Sequence, residues 1–255
     1  MITKRVFYIF SVLNKARKMT ESPVSEDMFT VMGVDGWNER WKNQQIGFHK
    51  SHIHQMLEKY VDKLINNRQN LRIFIPLCGK TLDIKWLYDQ GHTLVGVEGS
   101  EMALQQFFEE QSLEYTSETV DTIRGKLYKS KDGRIRLYCC DIYMFNKDIE
   151  GQFDGIWDRG SFVAINRQDR EKYSILMLSL MAPNCQYLLD TFDYNEKLYA
   201  GPPHYVPVEQ ILSLYGGKCN IEQLDIVDCL EEKHIGWGLD YMNERLHLLT
   251  LKIRT

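Results

Sequence analysis

The apolar positions of this chain fall into short β-forming runs separated by helical stripes. Leu71–Leu77 is one such run, with Pro76 at its end, where a missing N–H does little damage to a ladder. Cys78-Gly79 reads as a turn. Lys80–Gln90 then places Leu82, Ile84, Trp86 and Leu87 on a loose helical stripe, and Gly91 stops it. Thr93–Val97 is a second β run, with Glu98 at its C-terminal end. This βαβ unit predicts a parallel sheet with a right-handed crossover. Upstream, His52–Asn66 carries Ile53, Met56, Leu57, Tyr60, Val61, Leu64 and Ile65, an amphipathic helix. Before it, Trp37 and Trp41 are four apart and share one helical face.

Downstream, Ser100 is placed to cap a helix running to about Gln111. Residues 112–126 read as irregular. Lys126–Ser130 and Arg134–Cys140 flank Asp132-Gly133, a strong hairpin signal. Phe153–Trp157 is a strand with Asp158-Arg159-Gly160 as its exit. Arg167–Met181 reads as a helix, Gln186–Phe192 as a strand, and Val206–Leu214 as a short helix with Pro207 in its first turn. Cys219–Cys229 and Arg245–Ile253 are the last two β runs and are expected to pair antiparallel. The alternation predicts an α/β fold: a doubly wound, mostly parallel, Rossmann-like sheet with a terminal antiparallel pair. Such a pair is the usual mark of the class I methyltransferase variant of that fold.

Composition narrows the function classes. The 255 residues suffice for one large domain, expected over 31–255. The net charge of −4 offers no broad basic field, so no nucleic-acid partner is expected. No stretch of 18 or more apolar residues exists, so no membrane span is expected. Six cysteines form no C-x-x-C pair, and adjacent Cys139-Cys140 in a strand point to opposite faces. A reducing compartment, the cytosol, is the simplest inference. The first twenty residues carry five positive charges and no acid, which leaves −9 for the rest. No small-residue cleavage site follows the apolar stretch Val6–Leu13, so a secretory signal is not expected, and a mitochondrial presequence is the alternative that fits the basic, acid-poor bias. The expectation for 1–30 is a poorly ordered leader, with Met19 as an alternative start.

The chemistry centres on the carboxyl edge of the sheet, where ligands of such folds bind. Glu98 follows the turn at Gly79 by about 20 residues, the spacing of a ribose-binding carboxylate. Three nucleoside ligands compete. A P-loop needs glycine at position 74, where Phe74 stands. A dinucleotide site needs a second glycine so that backbone can approach a pyrophosphate, and the turn has one. S-adenosylmethionine carries adenosine without phosphate and needs neither, so it is favoured. Asp141 is then placed for the adenine amino group, Ile142 for the ring, and Arg159 for the methionine carboxylate. Leu77 and Gly79 form the turn. Trp37, Arg40, Trp41 and Phe48 either pack a helix on the body or form a lid over the ligand at 37–48. His49, His52 and His54 lack a metal-ligand pattern, and no metal is expected. No Ser-His-Asp or Cys-His arrangement stands out, so no catalytic base is assigned.

Several motifs together carry a family resemblance: W-x-x-x-W, FIPLCGK-x-x-D-x-KW-L, GH-x-LVGVE-x-SE, YCCDI, FD-x-IWDRG-S-x-VAIN, GPP-x-YVP and WG-x-D. From Trp37 to Leu251 the chain resembles the thiopurine S-methyltransferase family, its vertebrate members above all. P-L-C-G-K stands where most methyltransferases have a glycine-rich loop. The resemblance implies a cytoplasmic, monomeric enzyme that moves the methyl group of S-adenosylmethionine to the sulfur of aromatic and heterocyclic thiols, including thiopurines. It places the Trp37–Phe48 segment, Leu77, Glu98, Asp141, Ile142 and Arg159 around the methyl donor. It brings Phe48 and Lys233 to the thiol acceptor, and Arg159 or Lys233 is then expected to favour an anionic acceptor. Two positions depart from the pattern: Lys233 stands where the family often has Arg, and Asp141 where it can have Ser. The alternatives are a methyltransferase-like protein that binds without turnover and a methyltransferase acting on oxygen or nitrogen.

Overall fold

A computed structural model describes residues 31–253. The basic leader at 1–30 lies outside the described residues, as do 254–255. Nine strands form one sheet among the described residues: β1 (Arg72–Ile75), β2 (Thr93–Glu98), β3 (Tyr115–Val120), β4 (Gly125–Ser130), β5 (Ile135–Cys139), β6 (Phe153–Asp158), β7 (Met181–Asp193), β8 (Cys219–Asp228) and β9 (Asn243–Leu251). The helices are α1 (Val34–Lys42), α2 (Gln55–Ile65), α3 (Leu82–Asp89), α4 (Glu101–Glu110), α5 (Lys147–Glu150), α6 (Arg170–Leu180), α7 (Val208–Tyr215) and α8 (Glu232–Gly236).

The sheet order is β3-β4-β5-β2-β1-β6-β7-β9-β8. The central run from β5 to β7 is parallel. β9 is antiparallel to both β7 and β8, which gives the expected terminal pair. At the other edge β3, β4 and β5 form an antiparallel meander. Central strands are buried on both faces, so they read as unbroken apolar runs. In β1, Ile73 and Ile75 pack on one face with Leu57, Leu87 and Phe107. Phe74 points the other way and stacks between Phe145 and Phe153.

Four local expectations need correction. Residues 112–126 are not irregular: they contain β3 and a 3-10 turn, Asp121–Ile123. The inner residues of β3 are polar and exposed because only β4 pairs with it, so no apolar alternation betrays it. Ser100 occupies the N-cap of α4, but its hydroxyl caps nothing; its backbone N–H goes to Glu98 instead. Pro207 is the N-cap of α7 rather than a first-turn residue. β7 begins at Met181, directly after α6, five residues before the expected start.

Candidate active site

The loops at the carboxyl ends of β1, β2, β5 and β6 enclose a cavity of about 1240 Å³. Every site residue expected from the sequence lines it: Trp37, Arg40, Trp41, Phe48, Leu77, Gly79, Glu98, Asp141, Ile142, Arg159 and Lys233.

The turn after β1 is tightly wound. Leu77 and Gly79 have φ of 39° and 52°. Glycine adopts that region freely; a leucine there is strained by about 1–3 kcal/mol. The Cys78 N–H donates to the Val97 carbonyl, which ties the turn to β2. A Cβ on Gly79 would sit 3.2 Å from Trp41 Cζ2, so α1 approaches the turn too closely for a larger residue to fit easily. Gly96 in β2 lies behind the turn, where a Cβ would meet Cys78 Sγ at 2.8 Å and Leu137 Cδ2 at 2.9 Å. Gly96→Ala is therefore expected to cost about 1–3 kcal/mol of stability by overpacking and to displace the turn. Thermal unfolding reads the first effect and donor-binding calorimetry the second.

Glu98 is buried at the end of β2. Its Oε2 accepts from the Gly79 N–H at 2.9 Å and its Oε1 from the Ser100 N–H at 2.8 Å. Burial pushes its carboxyl above the usual range, while the backbone N–H groups of Ser100, Gly79 and Gly99 oppose that rise. A carboxylate offers about four acceptor sites, so two protein bonds leave room for a diol. Asp141 is exposed and caps the 3-10 turn Ile142–Met144 by accepting from the Tyr143 N–H at 2.9 Å. Ile142 beside it is buried.

The segment after α1 brings Phe48 against both tryptophans, at 5.7 Å from Trp37 and 5.6 Å from Trp41, edge on. The Arg40 guanidinium lies 5.5 Å from the Trp37 ring. Arg159, just past β6, donates through Nη1 to the Phe48 carbonyl at 2.8 Å. Its Nε is buried without a partner and so has a hydrogen bond to give. Lys233 stands on the rim, but its charge is already answered by Glu231 at 2.7 Å. Lys233 and then Lys50 hold the Glu231 carboxyl down at about 2, against its burial. Beside them Trp237 stacks on Tyr199 at 4.4 Å.

A further group escaped the sequence reading. Asp83 at the start of α3 accepts from the His54 backbone N–H at 3.0 Å and from Trp157 Nε1 at 2.8 Å. His54 in turn faces Glu244 of β9, with Asp190 of β7 beside it. The one signal in the sequence is Asp190 itself, a charge set inside the apolar run of β7.

Comparison with known proteins decides the family. The profile of the thiopurine S-methyltransferase family matches residues 32–252. The chain belongs to that family. A probable thiopurine S-methyltransferase of Danio rerio is 52% identical over 223 residues, covering 87% of this chain and 96% of that protein. The thiopurine S-methyltransferase of Mus musculus is 45% identical over 236 residues, covering 92% and 98%. Solved structures show the class I methyltransferase fold at far lower identity. The Burkholderia thailandensis 1,6-didemethyltoxoflavin-N1-methyltransferase with bound S-adenosylhomocysteine superposes with a TM-score of 0.58 at 13% identity, over 85% of this chain and 87% of that one. Haemonchus contortus phosphoethanolamine N-methyltransferase 2 with S-adenosyl-L-methionine gives 0.57 at 14%, over 87% and 58%. In this thiopurine S-methyltransferase family member, no described helix is long and apolar enough to cross a membrane.

Proposed function

We propose that this protein transfers the methyl group of S-adenosylmethionine to the sulfur of aromatic or heterocyclic thiols, including thiopurines. The observation that carries the proposal is the single cavity in which the Leu77–Gly79 turn and Glu98 face the Trp37–Phe48 segment and Arg159. The cavity fits the donor: a buried carboxylate with spare acceptor capacity, an apolar wall at Ile142 and a guanidinium with a free N–H. Glu98 would hold the ribose hydroxyls, Asp141 and Ile142 the adenine, and Arg159 the methionine carboxylate or an anionic acceptor. Trp37, Arg40, Trp41 and Phe48 would act as a lid, with Phe48 also touching the acceptor.

When bound, S-adenosylmethionine supplies a methyl group on a sulfonium sulfur. The protein's part is alignment of the acceptor sulfur in line with the bond that breaks, which can supply roughly 7–11 kcal/mol. Aromatic faces of the lid exclude water and favour positive charge on the donor. A heteroaryl thiol ionises more readily than an alkyl thiol, whose reference pKa is about 8.5, so it needs little help to become a thiolate. The same proposal takes the enzyme as a cytosolic monomer acting on a small thiol and binding no nucleic acid. Its six unpaired cysteines and its net charge of −4 support that reading.

The test is turnover of an aryl thiol with labelled S-adenosylmethionine. A labelled methyl thioether is expected. Binding of the donor without product would leave a binding protein, and label on oxygen or nitrogen would move the reaction class. Because Glu231 already compensates Lys233, Lys233→Met should change the acceptor KM only about two- to fivefold, the scale of an exposed ion pair. A tenfold or larger rise for anionic thiols would instead give Lys233 a direct contact.

A further inference from the structure

One side chain beyond β6 holds the start of the chain across the cavity. The Met32 N–H donates to Asn166 Oδ1 at 2.9 Å, and Asn166 Nδ2 donates to the Met32 carbonyl at 3.1 Å. A single amide thus satisfies both backbone groups of one residue, as a neighbouring strand would. Asn166 is the N-cap of the 3-10 turn Arg167–Asp169. Asparagine in that place normally caps the turn with its own oxygen. Here the side chain caps nothing, because its oxygen is taken by Met32, 134 positions away in sequence. Asp169 Oδ2 accepts from the same Nδ2 at 3.3 Å, which fixes the way the amide faces. Asn166 therefore gives up a local cap and ties down a distant segment instead.

Past Met32 the chain has two further holds. Val34, the first residue of α1, lies on Gly99, next to Glu98: a Cβ on Gly99 would sit 3.0 Å from Val34 Cγ1. In the last turn of α1, Trp41 lies on Gly79. Met32, Gly33 and Val34 line the cavity together with Glu98 and Asn166. Residues 32–34 are thus a strap from the loop after β6 to the loop after β2, the two strands that flank β1. A donor held by Glu98 and the Leu77–Gly79 turn lies beneath it.

We infer that Asn166 is a positioning residue, the latch of this strap: the donor enters, and the spent S-adenosylhomocysteine leaves, when Asn166 lets go of Met32. This rests on the donor site proposed above. Asn166 acts on the donor through the strap and the lid that follows it. Both bonds are between neutral groups and both residues are half-buried, so the latch breaks at little cost compared with the packing of Trp41, which is buried. The latch is closed without ligand. Loosening it raises the open fraction of the free protein and of the donor-bound protein alike. Entry and exit then quicken together, and Kd moves little. Loss of a direct donor contact would have another signature: exit would quicken and entry would not.

The experiment is stopped-flow mixing of the full chain with S-adenosylhomocysteine, which gives the association and dissociation rate constants separately. In Asn166→Ala both should rise about 5- to 150-fold, the scale of losing two neutral hydrogen bonds, while Kd stays within about threefold. Asn166→Asp keeps the shape of the side chain but sets an oxygen against the Met32 carbonyl. It should raise both rates as well, and it guards against a misfolded first variant. Unchanged rates in either folded variant would overturn the proposal. So would faster dissociation with unchanged association, which would make Asn166 a donor contact instead of a latch. Calorimetry in which the wild-type protein binds neither S-adenosylmethionine nor S-adenosylhomocysteine would remove the parent reading itself, and the latch with it.

Discussion

Glu98→Ala is expected to weaken S-adenosylmethionine binding by roughly 10- to 150-fold for each ribose hydrogen bond it loses. A hydrogen bond to a charged group contributes about 1.5–3 kcal/mol, and 1.4 kcal/mol is tenfold in Kd. The substitution acts twice. It removes the acceptor proposed for the diol, and it frees the Gly79 and Ser100 N–H groups that the carboxylate now holds. Titration calorimetry reads the result, and unaltered affinity would contradict the assignment. Acid should mimic the variant. Burial raises the Glu98 carboxyl above its ordinary range, so donor affinity should start to fall at a higher pH than an exposed carboxylate would give. Stability without ligand has the opposite sign. The folded state binds this proton more tightly than the unfolded chain. Glu98's contribution is therefore fully present below the unfolded value and is lost as pH rises through the raised one.

Phe74→Ala should cost about 3–5 kcal/mol of stability. Phe74 is fully buried and stacks on Phe145 at 5.3 Å and on Phe153 at 5.0 Å. For a protein of this size each kcal/mol moves Tm by about 2–4 °C, so a drop of roughly 6–20 °C follows. Calorimetry that finds a shift under about 2 °C would mean the site collapses around the missing ring. The same side chain that fills position 74 and bars a phosphate loop is thus a keystone of one sheet face.

What the sequence disclosed follows a physical divide. β1, α3 and β2 were legible because a strand buried on both faces writes its own apolar run, and a helix its own stripe. Leu77, Gly79 and Glu98 were legible for the same local reason: they come directly after those runs. β3 was not, because an edge strand in water needs no apolar face. The bond from Gly79 to Glu98 was not either, since it depends on where a positive φ aims one N–H. Asp190 and Glu244 are far apart in sequence and meet through strand register, and His54 reaches them from the start of α2, neither of which a single chain spells out. The ion pair of Lys233 with Glu231, two residues earlier, was not legible either, since neighbours in sequence need not turn their side chains together.

Leu77 has a consequence for how this sequence can drift. At a φ of 39° the backbone would accept glycine most readily, yet the chain keeps a branched side chain there. A β-branched residue such as valine or isoleucine is barred, because its second Cβ substituent worsens the clash. Neutral change at this position is narrowed to very few residues. Within β1 one aliphatic residue can replace another, but in the turn after it, at the mouth of the cavity, the chain has almost no sideways step to take.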